Sequence, residues 1–255
     1  MKEFFGIGGY QREPEGYLSW QHLVFVTSVL IVMSLLAVWI GRRNKERDEK
    51  QKNKALLIAA ILINFFELFK TVMVCVNAQD AMRWLYELPL FLCSIQLITI
   101  PLAALTRGRV KESALDFVLI FGLLGAVLGT YGAGQNYAAY PVLSFDNVVS
   151  AITHSISGFS ALYIAISGMA SLKKKNIPIT FAILLGFCGA AYVANLLLDY
   201  NYMFLMRGDG TPYDLLMTLV GGNQVAYTIG VVVLFLIYIA LFYAVYYIIK
   251  KKKKA

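Results

Sequence analysis

Two reactive side chains, Cys93 and His154, lie within long apolar segments of this 255-residue chain. Such groups are costly in apolar surroundings, so they mark candidate functional positions. A thiol beside an imidazole can pass its proton to the ring and attack an acyl ester. At 1.5 Å per residue from the expected helix ends, Cys93 lies about 12 Å and His154 about 10 Å below one membrane boundary. The pair could carry acyl chemistry on a membrane lipid, with Cys93 as nucleophile and His154 as base. Alternatively, Cys93 could be a small apolar side chain and His154 could hydrogen-bond a neighbouring helix.

Further polar groups accompany this pair on neighbouring segments. Glu67 and Lys70 are one helical turn apart, Gln96 lies on the third segment, and Asn195 and Asp199 share a face of the sixth. The group that orients the base could be Asn195, Glu67 or Asp199, and the sequence does not choose among them. Alternatively, Glu67 and Lys70 could form an ion pair that has no further role. Together these positions predict one polar cavity in the outer half of the bundle.

The composition places these groups in a membrane. Hydrophobic residues make up 59% of the chain and charged residues 15%, against about 45–50% and about 25% in soluble domains. This excludes an ordinary soluble enzyme, a disordered chain and a disulfide-stapled secreted module. The apolar blocks predict an all-α bundle of seven transmembrane helices in one domain over residues 1–255. The predicted spans are 23–40, 55–76, 85–105, 114–130, 147–170, 177–198 and 223–249.

The distribution of positive charge predicts the topology of these spans. Alternate loops and the Lys250–Lys254 run carry 18 Lys and Arg residues on one side, and the other side carries four. The basic side is expected in the cytoplasm, which puts the N-terminus outside and the C-terminus inside. The net charge of +8 is explained without a nucleic-acid partner. We expect an integral multi-pass protein of the cell membrane in a bacterium, or of the endoplasmic reticulum or another endomembrane in a eukaryote.

The expected partners are membrane phospholipids or lysophospholipids. Three cysteines are too few for a disulfide framework, and neither a Cys-X-X-Cys pair nor a Cys/His zinc spacing occurs in the sequence. We therefore expect no metal and no cofactor. The sequence favours no particular oligomeric state.

Three ordered motifs resemble a known family. The run Leu88–Cys93, Leu-Pro-Leu-Phe-Leu-Cys, is similar to the Leu-Pro-Leu-His-Leu-Cys motif of the YwaF-like bacterial integral membrane family. His154 with the Leu-Tyr pair that follows it, and the segment 201–205, also resemble that family, as does Glu67 on the second helix. The resemblance spans roughly residues 55–249 and rests on motifs in the same order.

The resemblance implies a function and adds candidate residues. The YwaF-like family is related to a eukaryotic transmembrane acyltransferase of ether phospholipids and, more distantly, to androgen-induced membrane hydrolases of fatty-acid esters. It therefore implies a Cys93 nucleophile and a His154 base, and it adds Asn201 and Tyr202 to the orienting or substrate-binding positions. Phe91 stands where the motif has His. If the family chemistry needs that His, this chain has lost activity or changed substrate.

Two other classes of membrane protein compete with the enzyme. A proton-coupled or small-solute transporter could use Glu67, Lys70 and His154, but the sequence shows no inverted repeat. A seven-helix receptor or photoreceptor is suggested only by the number of spans. A retinal protein needs a Schiff-base Lys on its last helix, and 223–249 contains none.

Overall fold

The computed structural model describes residues 1–252, and these residues form α-helices and short 3₁₀ turns without a β-strand. The predicted all-α class is therefore confirmed over this range. Lys253 and Lys254 of the basic tail lie outside the described residues. The helices are α1 (Trp20–Asn44), α2 (Glu49–Ala78), α3 (Gln96–Leu105), α4 (Gly108–Tyr131), α5 (Gly134–Ala139), α6 (Phe145–Ile166), α7 (Ile177–Leu198), α8 (Tyr213–Leu219) and α9 (Gln224–Lys252).

Six of these helices are long and apolar enough to cross a bilayer. They are α1, α2, α4, α6, α7 and α9, with 22 to 30 residues each. A 22-residue helix spans about 33 Å, slightly more than the hydrocarbon thickness of about 30 Å. The protein is an integral multi-pass membrane protein. A seventh crossing and the placement of the termini stay predictions.

The expected continuous helix over 85–105 is wrong in its first half. A 3₁₀ turn covers Arg83–Tyr86, irregular turns follow, and α3 begins only at Gln96. Pro89 explains the difference, because proline lacks an N–H and disfavours helical geometry in the residue before it. The ten residues of α3 cover about 15 Å, half of a bilayer core. Cys93 therefore lies in a turn, and a helical depth count does not apply to it.

Side-chain caps fix the starts of three spanning helices. Ser19, Asp48 and Ser144 accept hydrogen bonds from backbone N–H groups in the first turns of α1, α2 and α6. These residue types are the preferred N-caps because their oxygens satisfy amides that lack a partner within the helix. The cap at Ser144 fixes the start of α6, the helix that carries His154.

The chain consists of two compact units, Met1–Ser171 and a second unit that starts at Leu172. In the first unit α6 packs against α4, α1 and α2. Small residues allow the close approach of α4 and α6: a Cβ added at Gly122 would lie 2.8 Å from the Ser157 carbonyl oxygen, and one at Gly158 would lie 2.6 Å from the Ala126 Cβ. The prediction of a single domain over residues 1–255 stays a prediction.

The segment before α1 packs on the ends of α2 and α6. The Asn77 side chain donates a hydrogen bond to the Phe5 carbonyl, and the Tyr10 hydroxyl donates to Asp146 over 2.6 Å. The Phe5 and Phe145 rings lie 5.2 Å apart, and Phe145 also packs edge-on against Phe69 of α2. This segment therefore connects the two helices that carry Glu67 and His154.

Candidate functional site

Cys93 is held by a hydrogen-bonded turn between the 3₁₀ segment and α3. The Ser94 hydroxyl accepts from the Phe91 N–H and donates to the Phe91 carbonyl, each over 3.0 Å. The Ile95 N–H also bonds to the Phe91 carbonyl, and the Gln96 N–H bonds to the Cys93 carbonyl. The turn thus fixes the backbone on both sides of a half-buried thiol. Phe91, which replaces the motif His, contributes its backbone to this turn.

His154 has one ring nitrogen committed to the backbone. Its Nδ1 lies 2.7 Å from the carbonyl oxygen of Ser150, one turn earlier on α6. Because a carbonyl oxygen only accepts, Nδ1 must carry the hydrogen, and the neutral ring then has an unprotonated Nε2. The Ser150 hydroxyl lies 3.4 Å from the same Nδ1. The backbone therefore sets both the tautomer and the orientation of the imidazole.

The structure brings Cys93 and His154 together. The thiol, the imidazole and the Glu67 carboxylate lie close enough to one another to interact electrostatically. Cys93 and His154 are both half-buried. The expected polar cavity around the pair stays a prediction, because the two cavities that the structure describes are lined by other residues.

Two glycines of α4 form the wall against this pair. A Cβ added at Gly129 would lie 1.8 Å from the His154 Cδ2 and 2.0 Å from its Nε2. A Cβ added at Gly125, one turn earlier, would lie 3.5 Å from the Cys93 Cβ, which is an ordinary van der Waals distance. Only glycine at position 129 leaves the imidazole where it is, whereas position 125 has room for alanine.

Lys70 connects α2 to the segment that leads into the cysteine turn. Its ammonium group lies 3.1 Å from Glu67 and 3.0 Å from Glu87, and all three side chains are about one-fifth exposed. Two carboxylates and one ammonium leave the cluster with a formal charge of −1. The mutual neutralisation that the sequence suggested for Glu67 and Lys70 is present, and it extends to a second carboxylate.

Gln96 and Asn64 complete the polar groups around the start of α3. Asn64 of α2 donates to the carbonyls of Ala60 and Leu97, which ties the two helices together. Gln96 is fully buried and its side-chain oxygen accepts from Thr99. Its Nε2 has no hydrogen-bond partner among the described residues.

The remaining predicted site residues lie in the second unit, at the end of α7 and in the loop that follows it. Asn195 exchanges two hydrogen bonds with the backbone of Tyr202, and Asp199 is the left-handed C-cap of α7. Asn201 accepts from the backbone N–H groups of Met206 and Arg207. Tyr202 is fully buried. These contacts show that each residue takes part in the local structure of the loop. A role in orienting the base or binding substrate stays a prediction for all four residues.

The sequence model of the TMEM164 family matches residues 17–243. The chain belongs to the TMEM164 family. The matched range includes all candidate residues of both units. No curated protein and no solved structure matches the chain significantly. Membership of the TMEM164 family assigns no catalytic role to any residue, and the resemblance to YwaF-like proteins and their relatives stays a prediction.

Sequence reasoning missed three residues at the site of this TMEM164-family chain. Gly125 and Gly129 stand four residues apart in an apolar span, which is a recognisable signal for close helix approach. No sequence pattern points to Glu87, because its partner Lys70 lies on α2, 17 positions earlier in the chain. Within residues 1–252 no group of three or more His, Cys, Asp or Glu residues is placed to hold a metal ion.

Proposed function

We propose that this TMEM164-family protein is a membrane-embedded lipid acyltransferase or lipid-ester hydrolase that works through a thioester on Cys93. The observation that carries the proposal is the pairing of the Cys93 thiol with His154, whose Nδ1 is committed to the Ser150 carbonyl. A nucleophile, a base and a group that orients the base form the general pattern of covalent acyl transfer. Here the orienting group is a backbone carbonyl.

The reaction would proceed in two balanced steps. Nε2 of His154 takes the thiol proton while sulfur attacks the ester carbonyl carbon, and the carbon–oxygen ester bond breaks as the imidazolium protonates the leaving alcohol. A lysolipid hydroxyl or water then attacks the thioester, His154 takes its proton, and the thiol re-forms when that proton returns to sulfur. The first acceptor gives acyl transfer and the second gives hydrolysis.

Glu67 and Lys70 support this chemistry as positioning residues. A carboxylate near the ring stabilises the imidazolium that forms when the thiol loses its proton, and the same charge disfavours the thiolate. Lys70 offsets that repulsion because it pairs with both Glu67 and Glu87. The resemblance to the transmembrane acyltransferase of ether phospholipids supports the same assignment of Cys93 and His154.

The direct test is to trap the thioester. Purified full-length protein is incubated with phospholipid in proteoliposomes and examined by intact mass spectrometry before and after hydroxylamine. We expect a hydroxylamine-labile acyl adduct on the wild type and on Cys75→Ala, which removes another half-buried thiol of the same unit. Cys93→Ala should show neither adduct nor turnover. Undiminished turnover by Cys93→Ala would refute the proposal.

The transporter alternative rests on the same ionisable residues. A proton relay by Glu67, Lys70 and His154 would produce a substrate-dependent pH change in sealed vesicles, abolished by Glu67→Gln. That result, together with no acyl adduct on Cys93, would replace the enzyme with the transporter.

A further inference from the structure

A second feature of the first unit lies on a different face of α6. A cavity of about 910 Å³ runs between α1, α2 and α6. Its α6 residues, from Ile152 to Phe159, lie roughly 100–200° around the helix from His154. The cavity is therefore separate from the Cys93 and His154 pair, and the reaction proposed above does not use it.

The lining changes character along the length of the cavity. Most of its wall is aliphatic, with side chains such as Val32, Leu36 and Ile58 that are 43–58% exposed and leave the groove open along its side. At the basic end of α1 and α2 the lining includes Arg43, Arg47 and Lys54. The lining contains no acidic residue, and none of these three bases has an ion-pair partner in the part of the chain that the structure describes.

The dimensions fit an acyl chain with a charged head. The α1 part of the lining extends from Ser28 to Asn44, which is about 24 Å of helix and longer than half of a bilayer core.

We propose that this groove binds one anionic phospholipid of the leaflet at the basic end, with its phosphate at Arg43, Arg47 and Lys54 and an acyl chain along the aliphatic wall. Basic residues beside a membrane span attract anionic headgroups, and arginine in particular binds phosphate through paired donors. A free phosphate ion would use only the basic end and would leave the long apolar wall open. The lipid is the occupant that satisfies both parts.

Native mass spectrometry of the full chain, released from bilayers that hold equal phosphatidylglycerol and phosphatidylcholine, tests the headgroup. We expect a bound phosphatidylglycerol on the wild type. The triple variant Arg43→Gln, Arg47→Gln, Lys54→Gln should weaken its retention by at least about tenfold. The matched control removes three bases of the same loop that do not line the cavity, Arg42, Lys45 and Lys50, each to Gln, and should retain the lipid. Equal loss in both triple variants, or no preference in the wild type, would overturn the proposal.

A second pair of variants tests the apolar wall and keeps every charge. Val32→Trp fills the groove and should remove bound phosphatidylglycerol, whereas Val24→Trp, on the same helix and equally exposed at 56%, lies outside the lining and should not. Inorganic phosphate is then added as a competitor. If it displaces the lipid fully, and Val32→Trp retains the lipid, the basic end is an anion site alone and the proposed lipid site is wrong.

Discussion

The two histidines of the chain use their ring nitrogens differently. His22, at the start of α1, accepts from the Leu18 N–H at Nδ1, while its Nε2 donates to the Thr130 carbonyl, each over 3.1 Å. His154 gives only Nδ1 to the backbone, and its ring lies close enough to the Cys93 thiol to interact with it electrostatically. Both rings are polar groups within long apolar helices, so the sequence signal is the same. The difference is that the backbone occupies both ring nitrogens of His22 but only one of His154. This difference supports the proposal that His22 has a structural role and His154 a chemical one.

The largest effect is expected when the free nitrogen of His154 is removed. His154→Gln should lower acyl transfer by about 10²–10⁴-fold, because that is the usual contribution of a positioned general base. The measurement is turnover of labelled phospholipid in proteoliposomes. His22→Phe is the matched control, since it removes the other imidazole and should leave turnover per folded molecule close to wild type. Equal losses in the two variants would remove the distinction.

The next effect comes from moving His154 without changing it. Gly129→Ala places a methyl group on the imidazole, and a shift of about 1 Å in a catalytic group can cost about 100-fold. Gly125→Ala makes an equal change one turn away at an ordinary contact distance, so we expect it to keep most of the turnover. The rate at which a thiol reagent alkylates Cys93 provides a second readout. Similar rates in the two glycine variants would show that the wall does not position the imidazole.

The sequence predicts the long helices well and the site only in part. The hydrophobic block 177–198 predicts a helix with the bounds that the structure gives α7, Ile177–Leu198. Such spans are predictable because a segment in lipid must be apolar and must satisfy its backbone hydrogen bonds internally. The break in the span 85–105 could not be predicted from hydropathy. Hydropathy records neither the effect of Pro89 on the backbone nor the Ser94 hydrogen bond that forms the turn at Cys93. The matched placement of Cys93 and His154 was expected, but from a helical depth count that the turn invalidates. The spacing of Gly125 and Gly129 signals close helix approach, but the sequence does not show that the side chain approaching Gly129 is His154.

A smaller effect, on stability alone, is expected from His22. His22→Phe keeps a ring against Tyr137, whose centroid lies 3.9 Å away, but leaves the Leu18 N–H and the Thr130 carbonyl without the imidazole. The Thr130 carbonyl is buried, and a buried group without a partner costs about 1–3 kcal/mol, so the variant should lose about 1–3 kcal/mol. Thermal unfolding in detergent measures the loss, and an unchanged midpoint would mean that both groups find other partners.

The smallest effect extends the comparison to a carboxylate that the backbone uses. Glu15 accepts from the Val142 N–H over 2.7 Å and pairs with Arg12. Burial by itself would raise the pKa of the Glu15 carboxyl, but the Val142 N–H and the Arg12 guanidinium hold that pKa below its usual range. A lowered pKa in the folded state gives stability that is present above about pH 4.3, the unfolded value, and is lost as the pH falls through the folded value. Glu15→Gln should therefore remove about 1 kcal/mol at neutral pH and flatten the acid limb of the stability profile. Like His22, this residue should affect unfolding and leave acyl transfer unchanged; a variant that lost turnover while it kept its stability would place Glu15 with His154 instead.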